Sequence, residues 1–225
     1  MKICIINGSP RKNGATGKVL RKIGSHLEKK EDVQVNYFDL NDYKMNYCCG
    51  CMKCFSLGEC MIKEDGIEGI SQELALADGI IIGSPTYASN ITGQLKTFID
   101  RGHIVMEQLF KDKYTFAVST YENVEGRKVI SLLNRMYLLS GGILCGSYLL
   151  KVLFNREPFE NKRKSKELDN KIEKLYRAIK YKKKNFLFFS ILHSLVLNIG
   201  LKPYVFKHKY RTQGIINKWK LNGTI

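Results

Sequence analysis

The chain has 225 residues, 44% of them apolar, with 37 Lys+Arg against 21 Asp+Glu and a net charge of +16. That length supports one domain of roughly 150 residues plus an appendage; the apolar share excludes a disordered chain, and 19 Gly without a period exclude a collagen-like repeat. Seven Cys are too few, and odd in number, for a disulfide scaffold, and MKICIINGSP is too short an apolar run for a secretory leader, so a reducing, cytoplasmic setting is expected.

In chain order, Lys2–Ile6 is an apolar run that stops at Asn7-Gly8 and reads as a buried strand. Residues Gly8–Gly14 are a loop, and Thr16–Lys30 carries Val19, Leu20, Ile23 and Leu27 at helical spacing. Val33–Leu40 alternates as a second strand. Ile67–Leu76 is a helix, Gly79–Ile82 a third strand, and Thr92–Leu109 a helix with Leu95, Phe98, Ile99 and Val105 inward. Tyr114–Ser119, Gly126–Leu139 and Ile143–Leu150 then read as strand, helix and strand. This alternation predicts an α/β fold: a doubly wound, five-stranded parallel sheet of order 2-1-3-4-5, flavodoxin-like, with ligands beyond the carboxyl ends of the strands.

Charge divides the chain. Residues 151–225 hold 19 of the basic and 5 of the acidic residues, with no acid after Glu173. A boundary is therefore expected near Lys151–Asn161, between a domain over 1–150 and a basic helical extension over 151–225. Within the extension, Lys162–Lys184 sets Leu168, Ile172, Leu175 and Ile179 on one stripe. Phe186–Leu201 is a second helix with Ser190, Ser194 and Asn198 as a polar stripe, ended by Gly200 and Pro203. Its sixteen residues span about 24 Å, short of a bilayer core. Three roles are open for this tail: packing on the core or a partner subunit, contact of 185–201 with a membrane surface, and docking of an acidic partner such as ferredoxin. No nucleic-acid module is recognisable, so no nucleic-acid partner is expected.

The stretch Gly8-Ser9-Pro10-Arg11-Lys12-Asn13-Gly14-Ala15-Thr16 joins the first strand to the first helix. Small residues let backbone N–H groups approach an anion, Ser9 and Thr16 add hydroxyls, Arg11 adds a charged fork, and the helix N-terminus adds partial positive charge. It matches neither a Walker A loop nor G-x-G-x-x-G. A second chemistry-bearing element is Cys48, Cys51, Cys54 and Cys60, spaced C-x2-C-x2-C-x5-C within a Cys-rich loop 47–60, with Cys49 as a fifth thiol. Four thiolates suit a 4Fe–4S cluster or tetrahedral zinc; consecutive x2 steps have the ferredoxin cadence, and free thiols or a disulfide stay open. Cys4 and Cys145 read as small core residues. His26, His103, His193 and His208 lack metal-type spacing and read as surface or packing residues. Glu64-Asp65 reads as a solvated loop or a helix cap.

The loop GSPRKNGAT resembles the GSPRxxGNT phosphate loop of the flavodoxin-like NAD(P)H-dependent FMN reductase superfamily. Gly83-Ser84-Pro85-Thr86-Tyr87 resembles its second flavin loop, and Gln94–Arg101 its QLKxFIDR helix. The Cys spacing is similar to that of the iron–sulfur flavoprotein branch. Ala15 stands where the family usually has Asn, and Ser119-Thr120-Tyr121-Glu122 lacks the family's Gly pair. The resemblance implies an FMN phosphate held by Ser9, Arg11, Asn13 and Thr16, with Gly14 and Ala15 contributing backbone. It implies a flavin ring lined by Ser84, Pro85, Thr86, Tyr87 and Asn90, and a third loop at Ser119, Thr120 and Tyr121. The four spaced Cys would be cluster ligands, NAD(P)H a co-substrate, ferredoxin an electron partner, and a homodimer or homotetramer the assembly. No side chain need act as acid or base, because the redox chemistry belongs to the cofactors. The expected activity is a flavin-dependent oxidoreductase passing electrons between FMN and a cluster. A cluster-free NAD(P)H-dependent FMN or quinone reductase, and a flavodoxin-like carrier, are the alternatives.

Overall fold

The computed structural model describes residues 1–154, 156–182 and 186–225. Five strands form one parallel sheet: β1 (Lys2–Asn7), β2 (Gln34–Asp39), β3 (Gly79–Pro85), β4 (Tyr114–Tyr121) and β5 (Ile143–Lys151), in the order β2-β1-β3-β4-β5. The expected flavodoxin-like topology is present.

The alternation of side chains along each strand splits the core into two layers. Cys4 and Ile6 of β1, with Ile80 and Ile82 of β3, face α3 (Ile67–Ala75), α4 (Gly93–Arg101) and α5 (Gly126–Leu139). Ile3, Ile5 and Ile81 face the other way, onto α1 (Ala15–Leu27) and α6 (Lys162–Lys180). Leu168, Ile172, Leu175 and Ile179 of α6 lie in this second layer, so the first helix of the basic extension covers the sheet beside α1. Lys183 and Lys184, the end of the helix expected over Lys162–Lys184, lie outside the described residues, as does Asn185.

Two expectations are corrected. The helix read over Thr92–Leu109 stops at Arg101: Gly102 caps it, and His103 and Gln108 adopt positive φ (50° and 56°), which no helix accommodates. Ile104 and Phe110 still reach the core, delivered by turns. The second tail helix is α7 (Phe186–Leu195), and Gly200 and Pro203 do not end the helical path. The chain continues as a π-helical stretch, Val196–Leu201, directly into α8 (Lys202–Lys207), where Pro203 occupies the first turn and needs no N–H partner. The side chain of Ser190, part of the expected polar stripe, is outside the described residues.

Two short helices have no strong sequence signal. They are α2 (Lys53–Leu57), inside the Cys-rich loop, and α9 (Gln213–Leu221). They pack backbone to backbone: a Cβ on Gly214 would stand 2.0 Å from Gly58 N and 2.6 Å from Leu57 C. Around them a third cluster of Leu197, Val205, Ile215, Ile216 and Trp219 receives Phe55 and Met106, and Trp219 Nε1 donates to Met106 O at 2.7 Å. Among the described residues no helix is long and apolar enough to cross a membrane.

Candidate functional site

The loop after β1 is built around its own backbone. Ser9 N–H donates to Asn7 Oδ1 (3.1 Å), Arg11 N–H to Ser9 Oγ (3.1 Å) and Gly14 N–H to Arg11 O (3.0 Å). The loop then enters α1 at Gly14 with no side-chain cap and no acidic residue in the first turn. Helix N–H groups left without a cap, with the helix dipole behind them, suit an anion. Gly17 is dictated by contact, since a Cβ there would lie 2.0 Å from Lys12 O.

The loops after β3 and β4 close on this one. Thr92 Oγ1 donates to Gly8 O (2.5 Å), and Thr92 N–H donates to Ser84 Oγ (3.2 Å). Thr16 Oγ1 meets Thr120 Oγ1 at 2.6 Å, and Thr86 N–H donates to Thr120 O at 2.9 Å. Tyr87 and Asn90 exchange two backbone hydrogen bonds of 2.9 Å across a two-residue turn. Its central residues, Ala88 and Ser89, sit at φ 46° and 64°, where glycine is the comfortable residue. That strain holds Tyr87 outward, half exposed, at the rim.

Between these loops lies a cleft of about 400 Å³ at the carboxyl ends of β1, β3, β4 and β5. Of the residues expected there, Arg11, Asn13, Gly14, Ala15, Pro85, Thr86, Tyr87, Thr120 and Tyr121 line it. Ser9, Thr16, Ser84 and Ser119 are buried behind it as its frame. The Asn90 side chain turns back to accept from Ile91 N–H (2.8 Å), and Asn13 Oδ1 accepts from Arg21 (3.0 Å). Sequence reasoning missed the opposite wall, the β5–α6 connection with Leu153, Phe154 and Arg156, together with Lys18 and Glu122. The signal available was topological: this connection must leave the sheet at the same edge as the other loops. Lys18 pairs with Glu157 at 2.5 Å and Phe154 N–H donates to Glu122 at 3.0 Å, so that wall is tied to α1 and β4. Arg11 forms no ion pair among the described residues. The volume, the uncapped helix end and the free guanidinium fit a flavin nucleotide with an anionic tail.

The Cys-rich segment leaves β2 at the same edge of the sheet. Its two ends are gathered by one side chain, Arg101, at the terminus of α4. Arg101 donates to Asn46 O (3.0 Å), Ile62 O (2.9 Å) and Asp65 Oδ1 (3.2 Å), and approaches Cys60 Sγ at 3.5 Å. Both members of the Arg101–Asp65 pair are buried. The reading of Asp65 as a solvated acid is therefore corrected, while the capping role holds: it accepts from the Ile67 N–H at the start of α3 and also neutralises a buried guanidinium, a partner that primary-structure spacing could not reveal. Burial pushes the Asp65 carboxyl up, but the Arg101 guanidinium and the Asn46 N–H outweigh it and hold the group below the usual range.

The five thiols of the segment are free; Cys48, Cys49 and Cys51 are exposed, and Cys54 and Cys60 half-buried. The Lys53 N–H, and after it the Cys49 side chain, draws the Cys51 thiol below its ordinary value. His103, expected to be a surface or packing residue, packs against Cys54 with Glu107 3.2 Å from its Nδ1. Burial lowers its pKa, yet Cys54 and Glu107 together raise it to about 9, so a second cation stands beside a thiol. Among the described residues no three His, Cys, Asp or Glu side chains are gathered as a metal site. The donor chemistry nonetheless fits a thiolate-bound group: four thiols in one clamped segment, two with cations beside them. Cys4 is buried, with its thiol pushed up to about 11, and Cys145 packs on the second core layer, its thiol pushed up to about 12.

The family model of NADPH-dependent FMN reductases matches residues 1–151. An iron–sulfur flavoprotein of Clostridioides difficile is 42% identical, with all of both chains covered. Another, from Archaeoglobus fulgidus, is 32% identical over 79% of this chain and 81% of its own. Among solved structures, an FMN-dependent NADH-azoreductase of Bacillus anthracis in complex with FMN superposes with a TM-score of 0.60 at 15% identity. It covers 78% of this chain and 99% of its own, a likeness of fold. On sequence, topology and site together, the chain belongs to the NADPH-dependent FMN reductase family, in its iron–sulfur flavoprotein branch, and is a flavin-dependent oxidoreductase.

Proposed function

We propose that the chain binds FMN in the cleft at the carboxyl edge of the sheet, and that Cys48, Cys51, Cys54 and Cys60 hold a 4Fe–4S cluster. Electrons would pass between the two and an outside carrier such as ferredoxin. FMN supplies two-electron and one-electron chemistry and a cluster one-electron chemistry, so this pairing converts one into the other. The observation that carries the reading is the cleft itself, with an uncapped helix end and Arg11 on one wall and Tyr87 on the other.

The chain's own contribution is binding and positioning. The α1 N-terminus and Arg11 bind the anionic tail, and Lys18 is kept beside them by Glu157. Tyr87, held outward by its strained turn, offers a face to an aromatic ring. Phe154, on the β5–α6 connection, adds an apolar side chain to the lining of the cleft. Arg101 fixes where the thiol segment starts and ends. No side chain in the cleft is required to carry a proton.

A second reading, supported by the family model over residues 1–151, is a cluster-free NAD(P)H-dependent FMN or quinone reductase. Anaerobic reconstitution separates the two. The first expects one FMN per chain with about four iron and four sulfide, lost in Cys51→Ala and Cys54→Ala. Flavin without iron, and an unchanged NAD(P)H oxidation rate in those variants, would favour the second. Arg11→Ala tests the cleft: loss of one charge-assisted contact should weaken FMN about 10- to 100-fold while leaving riboflavin, which has no phosphate, unchanged. Equal weakening of both would refute the placement of the phosphate.

A further inference from the structure

The helical path through α7 and the π-helical stretch after it is apolar on two opposite faces, and the protein covers one of them. Phe189 packs on the second core layer, His193 Nε2 meets Gln108 Oε1 at 2.6 Å, and Leu197 is buried against Trp219 and its neighbours. These residues, four apart, form the inward face. On the opposite face Phe188, Ile191, Leu195 and Ile199 are 66%, 55%, 48% and 73% exposed. The same character continues through α8, where Tyr204 and Phe206 are exposed while Val205 between them is buried, and past it to exposed Tyr210. A surface helix ordinarily turns polar side chains outward; a row of large apolar ones marks an interaction surface.

Charge identifies the occupant. Residues 174–225 contain 12 Lys and Arg and no Asp or Glu. Lys202, Lys207, Lys209 and Lys220 form no ion pair among the described residues, and Arg211 stacks on Tyr210. A second copy laid on this face would oppose like charges. An apolar row flanked by lysines matches a surface that is apolar at depth and anionic at its boundary. We propose that the outward face of α7, with the basic turns after it, docks on an anionic lipid surface. His193 stands against Gly141, in the turn that leads into β5, so the docking face is anchored at the amino edge of the sheet, opposite the edge that carries the cleft. The cleft would stay open to solvent on the bound protein.

Flotation of the full chain with vesicles tests this directly. It should float with phosphatidylcholine containing equimolar phosphatidylglycerol, not with phosphatidylcholine alone, and be released by salt. Ile191→Ser/Leu195→Ser/Ile199→Ser should cut partition by about tenfold or more. Lys207→Gln/Lys209→Gln, which leaves the apolar row intact, should cut it about fivefold per charge. Matching thermal melts would show that both variants fold. The proposal fails if the wild-type chain does not float, or if the triple serine variant floats equally well. It also fails if light scattering shows a wild-type dimer that the triple variant abolishes, which would make a second copy the occupant, or if the face binds an acidic protein in preference to vesicles.

Discussion

Replacing Asp65 with Asn removes the charge that compensates Arg101 while nearly preserving shape. The side chains of the pair are 3% and 1% exposed, so water cannot take over the role. Truncating one partner of a buried ion pair costs about 3–5 kcal/mol, because the other charge is left uncompensated. The Asn amide can still accept one hydrogen bond and Arg101 keeps Asn46 O and Ile62 O, so Asp65→Asn belongs near the lower end, about 3 kcal/mol. For a chain of this size that corresponds to a melting temperature lower by about 6–12 °C. Arg101→Met should cost more, because it strands a buried carboxylate and releases both backbone carbonyls. The double variant should lose well under the sum of the two single losses, since an uncharged pair carries no stranded ion. Urea unfolding followed by the single tryptophan, Trp219, is the assay, because that residue sits against the unit that contains α2. The pair also predicts a pH dependence. The folded-state pKa of Asp65 is depressed, so its contribution is present above the ordinary carboxylate value and is lost as pH falls through the lower, folded one. Asp65→Asn should lack that acid limb. A loss below about 0.5 kcal/mol for Asp65→Asn, or a coupling energy of that small size in the double-variant cycle, would refute the reasoning.

Gly214→Ala would drive a Cβ into the Gly58 N–H, and since backbone cannot yield locally, α9 should lift from α2. Limited proteolysis after residue 212 should quicken, and Cys54 should label faster with a thiol reagent. Trp219→Ala, which empties a fully buried site and orphans Met106 O, should cost about 3–5 kcal/mol by urea unfolding. Gly17→Ala should displace the Lys12 carbonyl and with it the loop around the anion site. The expected result is FMN binding weakened at least tenfold in fluorescence titration with the melting temperature little changed; unaltered FMN binding would count against the loop's role.

Much of this architecture is written in local pattern. The apolar runs KICII and GIII dictate strands of a sheet buried on both faces, because successive side chains point to opposite faces. Helical stripes such as Leu168, Ile172, Leu175 and Ile179 announce the layer that must cover it, and the loop Gly8–Thr16 advertises its small residues. Those signals span a few neighbouring residues, so spacing alone carries them. What escaped depends on residues far apart in the chain. Arg101 looks like the end of a helical motif, but only folding brings Asn46, Ile62 and Asp65 around it. His103 becomes a neighbour of Cys54 because the helix before it ends at Gly102 and the chain turns at His103 with a positive φ. The wall of the cleft formed by Phe154 and Arg156 has no motif; its position follows from the direction in which β5 points. Nearest-neighbour sterics and hydrophobic periodicity select the elements of this protein. Long-range burial and charge compensation, which have no period, decide how its thiols, its cleft and its basic tail are set relative to them.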